Sequence, residues 1–144
     1  TSLTQDEWRI QVQDEIIKNI GQVRSADRLQ AGLKKMDDLE KAFDEIGVGG
    51  ETVRQRCDNL RKLYETKKII QVARMLGTAA LHRNESRGGH YRLDFPDQDD
   101  KNFLANIVLT AENGTVKFEL RPVPSLTDTA PPPPDVISTE AQLG

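Results

Sequence analysis

The densest group of side chains that could do chemistry lies in residues 83–96, which read RNESRGGHYRLDFP. Five of them are candidates for a functional site: Arg83, Glu85, Arg87, His90 and Arg92. Arginine presents a planar fork of donors that can bind carboxylates or phosphates in a bidentate manner. The same arginines could instead pair with acidic residues of the same segment, because structural ion networks often resemble binding sites. Residue types alone therefore leave a binding role and an internal ion network both open.

Other candidate groups give weaker signals. His82 and His90 are eight residues apart and have no third ligand at a fixed spacing, so they do not predict a metal site. The acidic residues of 97–100 lack the spacing of a calcium-binding loop and indicate a solvated turn. Cys57 is the single cysteine, and its place in an apolar helical pattern predicts that it packs in the core.

Helices that precede residue 83 must position the arginine-rich segment. The first is predicted from about residue 5 to 20, where Thr4 and Glu7 form a capping-box pattern and apolar residues recur every four positions. The second is predicted to begin after Ser25, a favourable N-cap residue, and to end near residue 46. Glycines stand directly after both helices and mark their ends.

The third and longest helix is predicted over about residues 51–82. Its buried side is expected to carry the apolar residues of that stretch: Val53, Cys57, Leu60, Tyr64, Ile70, Ala73, Leu76 and Ala80. Amphipathic helices of this length are marginal alone and must bury one another. We therefore predict a mainly α fold, with an antiparallel three-helix bundle over residues 1–92.

The remaining chain has a different composition, with all seven prolines after residue 95. Two strand-like stretches flank Asn113-Gly114, a dipeptide typical of tight hairpin turns. These features predict a loop and a small β-hairpin over residues 93–123. Four consecutive prolines, residues 131–134, predict an extended proline-rich tail over residues 124–144.

Composition narrows the function classes. The chain has 144 residues, a length that fits one domain with a tail. Its formal charge of −3 excludes a globally basic nucleic-acid coat. Residues 54–92 nevertheless contain ten basic and three acidic residues, so weak nucleic-acid binding through this segment is one alternative. Another is a helical protein-interaction module whose proline-rich tail binds aromatic grooves. No apolar run approaches the ~20 residues of a membrane span.

The arginine-rich segment resembles a motif of a known family. Its pattern R-x-E-S-R-G-x-H-x-R-x-D-F-P is similar to the C-terminal region of succinate dehydrogenase and fumarate reductase flavoprotein subunits, whose superfamily includes L-aspartate oxidase. The resemblance continues in the sequences DDKNF at 99–103 and GQVRS at 21–25, and it covers about residues 5–123. Asn106 departs from it, since many members have histidine there. The hairpin and tail at the end of the chain favour the succinate/fumarate branch, because aspartate oxidases usually stop sooner.

This resemblance implies a C-terminal helical domain, non-catalytic alone, of an FAD-dependent oxidoreductase that interconverts succinate and fumarate. In the family, the flavin and substrate sites lie on a preceding, larger flavin domain. The resemblance therefore implies no catalytic, cofactor-binding or metal residue in this chain. Residues 47–50, GVGG, also lack the dinucleotide fingerprint and come after a predicted helix. Arg83, Glu85, Arg87, His90 and Arg92 are expected to fasten the bundle to the flavin domain.

The partners implied by the resemblance are the flavin-binding domain of the same protein, which holds FAD in the parent enzyme, and an iron–sulfur subunit. Nucleic acid is not among them. We expect a cytoplasmic protein, with attachment to the inner face of a membrane through partner subunits as a further option. The chain begins with Thr1 rather than Met, so we expect a fragment or a processed chain.

Overall fold

Three helices form a bundle in the computed structural model, which describes residues 3–112, 115–124 and 139–142. Their bounds are Gln5–Glu15 (α1), Ala26–Lys41 (α2) and Val53–His82 (α3). A π-helical turn, Ile16–Ile20, extends α1, and a 3-10 turn, Ala42–Glu45, extends α2. The predicted mainly α fold with a three-helix bundle is confirmed.

Side-chain caps define where the helices begin. The Thr4 hydroxyl accepts a hydrogen bond from the Glu7 N–H at 3.3 Å, and the Glu7 carboxylate accepts one from the Thr4 N–H at 2.9 Å. This is the capping box that the sequence predicts, and Ser25 caps α2 as expected. A second box, between Thr52 and Gln55, starts α3 two residues later than predicted. Local pairs of this kind satisfy the backbone N–H groups that a helix start leaves free.

The core lies between the three helices. Its buried apolar members are Trp8, Val12, Ile20, Met36, Leu39, Ile46, Leu63, Ile70 and Ala73. The Trp8 indole Nε1 donates a hydrogen bond to the Leu39 carbonyl at 2.9 Å, which joins the start of α1 to the end of α2. Burial of each large apolar side chain contributes roughly 1.5–3 kcal/mol of stability.

The buried face of α3 differs from the prediction. Five predicted core residues are exposed instead: Val53, Cys57, Leu60, Tyr64 and Leu76. Lys62 pairs with Asp6 at the start of α1, with Nζ and Oδ1 3.2 Å apart, so the first turns of α3, which carry Val53, Cys57 and Leu60, extend beyond α1. The prediction that Cys57 packs in the core is therefore wrong. Periodicity identifies an apolar stripe, but it does not reveal how far the neighbouring helix reaches.

Two small sheets accompany the helices. Val23–Arg24 (β1) pairs in parallel with Tyr91–Arg92 (β2), which links the α1–α2 connection to the segment after α3. Ala105–Glu112 (β3) comes after a short helix, Asp100–Phe103 (α4), and pairs antiparallel with Thr115–Pro122 (β4). Thr139–Gln142 (β5) then pairs with β4 as a third strand.

The predicted hairpin is thus present, with Glu112 paired to Thr115. The turn residues between them and the four consecutive prolines of the tail lie outside the described residues. No helix within the described ranges is long and apolar enough to cross a bilayer.

Candidate functional site

The candidate residues lie in the segment after α3, which folds back over one end of the bundle. Backbone hydrogen bonds hold this segment against the α1–α2 connection: the Leu93 N–H donates to the Arg24 carbonyl at 2.7 Å, and the Tyr91 N–H donates to the Gln22 carbonyl at 3.3 Å. The helix ends are therefore within reach of the side chains that the segment carries.

Arg92 closes the end of α3. Its side chain is only 1% exposed, and its Nη1 donates to the carbonyls of Ala80, Leu81 and Arg83 at 2.9, 3.1 and 3.3 Å. These carbonyls belong to the last turn and cap of α3, where donors from within the helix are lacking. Nε and Nη2 of Arg92 each donate to a carboxylate oxygen of Asp94 at 2.7 Å.

Asp94 extends this connection to α2. Its Oδ2 accepts a hydrogen bond at 2.9 Å from the Ala26 N–H in the first turn of α2, where a negative charge is favourable. Hydrogen bonds from Arg92 first, and from Ala26, hold the pKa of Asp94 far below its usual range. The Arg92–Asp94 pair therefore ties the end of α3 to the start of α2.

Glu85 is the buried anion of a second group, and its side chain is fully buried. Arg87 donates to both carboxylate oxygens at 2.9 Å, the Asp99 N–H donates at 2.8 Å, and Arg83 donates as well. Burial alone would raise the pKa of Glu85, but these hydrogen bonds outweigh it and lower the pKa. Arg87 also donates to Asp100 at 2.6 Å, and its two carboxylate partners raise the pKa of the guanidinium.

Arg83 connects the same group to the strands. Its Nη1 donates to the Phe103 carbonyl at 3.1 Å, and its Nη2 donates to the Ala105 carbonyl at 2.5 Å. The donors of Arg83 and Arg87 are thus used largely within their own chain. The residue types leave open a binding role and an internal ion network, and the structure shows the internal ion network.

His90 bridges the segment to Arg24. Arg24 Nη1 lies 2.7 Å from His90 Nδ1, and His90 Nε2 lies 3.2 Å from the Arg83 carbonyl. Because the guanidinium can only donate and the carbonyl can only accept, Nδ1 accepts and Nε2–H donates, which defines a neutral imidazole. Burial lowers the pKa of His90, and the charges of Arg24, Arg83 and Arg92 lower it further.

The structure brings all five predicted residues into one cluster, although they differ in exposure. Glu85 and Arg92 are buried and support the cluster from within, whereas Arg83, Arg87 and His90 are partly exposed. The interface role of the five residues stays a prediction. Arg24 belongs to the same cluster, although the sequence indicates it only as part of the upstream motif at 21–25.

A cleft of about 270 Å³ opens beside the cluster. Its lining combines three cationic or potentially cationic side chains, one amide and four apolar residues: Arg24, Arg83, His90, Asn106, Leu76, Ala79, Ala80 and Ile107. Asn106, the position that departs from the family pattern, therefore lies at the cleft. This arrangement suits an anionic group attached to an apolar stem.

Residues 47–50 do not form a dinucleotide-binding loop in the structure. The glycine-rich residues 47–50 come after a 3-10 turn instead of a strand, and their backbone is used internally: the Gly47 N–H donates to the Leu3 carbonyl, and Asn59 donates to the Gly49 carbonyl. A dinucleotide fingerprint requires a strand before the glycines and free N–H groups at a helix start. Within the described residues, no group of three His, Cys, Asp or Glu side chains is arranged to hold a metal ion.

Comparisons with known proteins match this chain to one family of flavoproteins. Residues 9–135 match the family described as fumarate reductase flavoprotein C-terminus. The chain is 34% identical over 87 residues to an uncharacterised FAD-dependent oxidoreductase of Methanocaldococcus jannaschii, a match that covers 60% of this chain and 15% of that protein. It is 32% identical over 98 residues to the fumarate reductase flavoprotein subunit of Helicobacter pylori, covering 68% of this chain and 14% of that subunit.

Among solved structures, a quinol fumarate reductase chain of E. coli superposes with a TM-score of 0.68 and 25% identity, covering 92% of this chain and 23% of that chain. The chain therefore spans less than a quarter of the length of each of these proteins.

Proposed function

The chain belongs to the family of fumarate reductase flavoprotein C-terminal domains, and from this premise we propose that it serves an FAD-dependent oxidoreductase that acts on succinate or fumarate. Its part is to support assembly with the flavin-bearing region, and it carries no catalytic group of its own. The observation that carries this proposal is the family match over residues 9–135. FAD, held by the flavin-bearing region, would supply the redox chemistry. We also propose that the whole protein pairs with an iron–sulfur subunit and is attached to a membrane through partner subunits.

In this proposal the ion network has a structural part, because it cross-links the helices and the loop at one end of the bundle. Arg92 and Asp94 connect α3 to α2, and Glu85 connects Arg87 to the loop that leads into β3. A surface that is ordered before docking loses less conformational entropy when it binds. Arg83, Arg87 and His90 are the partly exposed members that a neighbour could touch, and Glu85 and Arg92 hold them in place.

The nucleic-acid alternative gains little from the structure. Six of the ten basic residues between 54 and 92 form ion pairs with carboxylates of the same chain: Arg61, Lys62, Arg74, Arg83, Arg87 and Arg92. Paired cations have less charge to offer to phosphates, which dominate non-specific nucleic-acid affinity.

Co-expression of the chain with a tagged flavin-bearing region of the same protein tests the proposal. We expect the chain to co-purify with that region, and we expect the purified chain alone to show no flavin absorbance. A chain that fails to co-purify, or that forms a stoichiometric yellow complex by itself, would contradict the proposed division of roles.

A further inference from the structure

Arg24 is a buried cation without a counter-ion among the described residues. The residue is 8% exposed, and its side chain contacts the Ile20 carbonyl, at 3.1 Å from Nε, and His90 Nδ1, at 2.7 Å from Nη1. Neither partner carries a formal charge. No carboxylate of the described residues lies within ion-pair distance of Arg24, and none of these residues accepts a hydrogen bond from its Nη2.

The three other arginines of the cluster have counter-ions. Arg83 and Arg87 share Glu85, Arg87 also pairs with Asp100, and Arg92 has Asp94. The cluster therefore contains three carboxylates for four guanidiniums, and Arg24 is the one left over. The carbonyl end of the first helix offers only about half an elementary charge. Burial and the charge of Arg92 lower the pKa of Arg24, as expected for a cation that lacks a counter-charge.

The cleft beside Arg24 has room for the missing anion. Its lining includes the polar groups of Arg24, Arg83 and His90 together with apolar side chains such as Leu76 and Ile107. Val72 and Met75, which precede the cleft residues Leu76 and Ala79 by one helical turn of α3, are also exposed apolar residues. An aspartate or glutamate side chain combines an apolar stem with a carboxylate and so matches both kinds of lining residue.

We propose that this cleft receives an acidic side chain from the flavin-bearing region, and that the Arg24 guanidinium binds its carboxylate. The inference rests on the proposed function, because the occupant is a residue of the region on which the chain is proposed to dock. Buried charges in proteins are almost always paired, so docking would supply the partner that the cluster lacks. The ion pair with Arg24 then fixes the position at which the chain docks on the flavin-bearing region.

Binding between the 144-residue chain and the flavin-bearing region, measured by isothermal titration calorimetry, tests this inference. Arg24→Gln removes the unpaired charge, and we expect it to raise the dissociation constant roughly 30-fold or more. Asn106→Asp places a carboxylate in the same cleft. We expect it to raise the thermal midpoint of the isolated chain, since it supplies a counter-ion, and to weaken docking by repelling the incoming carboxylate. Arg54→Gln, at an exposed arginine near the start of α3, is the matched control and should leave the affinity unchanged within about twofold.

Each outcome has a defined meaning. If the unmodified chain does not bind the flavin-bearing region, both the proposed function and this inference fail. If it binds and both cleft variants bind equally well, only the inference fails. If free succinate binds the chain in an Arg24-dependent manner while docking is insensitive to Arg24→Gln, the cleft holds a small dicarboxylate and the inference is overturned. Should Arg24→Gln fail to fold, as judged by circular dichroism, Asn106→Asp decides the question alone.

Discussion

Replacing Glu85 with glutamine removes the buried negative charge on which two arginines depend. Glu85 is fully buried and accepts hydrogen bonds from Arg83, Arg87 and the Asp99 N–H. Breaking a buried ion pair by removing one partner costs about 3–5 kcal/mol of unfolding free energy. Glutamine keeps the shape and one carbonyl acceptor, so we expect the lower end, about 3 kcal/mol. For a chain of this size that corresponds to a fall in the thermal midpoint of roughly 6–12 °C.

Urea unfolding followed by circular dichroism measures this loss of unfolding free energy. An exposed glutamate of the same chain serves as the control. Glu65 pairs with Arg9 at 3.3 Å and with Arg61 at 3.0 Å, but its side chain is solvent-exposed. Glu65→Gln should therefore change the unfolding free energy by about 1 kcal/mol or less. If Glu85→Gln costs no more than Glu65→Gln, the buried network does not stabilise the end of the bundle and our account of it is refuted.

Two further predictions concern the same fold. The pKa values of the Asp94, Glu85 and Asp100 carboxyls are lowered in the folded chain. The ionised carboxylates therefore stabilise the fold above about pH 4, and this stability is lost as the pH falls through the lowered folded-state pKa values. Asp94→Asn should lower the unfolding free energy at neutral pH and flatten its decline in acid, as measured by urea unfolding across a pH series; an unchanged acid profile would count against the pairing with Arg92. Trp8→Phe removes the donor to the Leu39 carbonyl and should cost about 1–3 kcal/mol in the same assay, whereas a neutral effect would mean that the buried bond contributes nothing.

The helices could be predicted from sequence because their determinants are local. The Thr4–Glu7 box and the Ser25 cap each act within four residues, and the glycines after the helices mark clear breaks. The exposed start of α3 could not be predicted, since it depends on where α1 begins relative to Lys62. The β1–β2 pairing could not be predicted either, because two-residue strands have no periodicity and the paired residues, Val23 and Tyr91, are far apart in the sequence.

The site was predictable in its residue types but not in its pairings. Arg83, Glu85 and Arg87 lie within five residues of one another, so an internal network could be weighed beside a binding role. The membership of Arg24 could not be predicted, because its contact with His90 spans 66 residues of sequence. Whether a cation finds a counter-ion depends on how the loop closes, and this closure is visible only in the folded chain.

Flavin content and substrate affinity of the complete flavoprotein carrying Arg87→Ala test most directly whether this cluster serves assembly instead of chemistry. Arg87 joins Glu85 to Asp100, so its loss should loosen the loop that leads into β3 and weaken docking. We expect reduced flavin retention with a nearly unchanged KM for the dicarboxylate in the fraction that keeps its flavin. Full flavin content combined with a raised KM would contradict the account, because it would place Arg87 at the substrate.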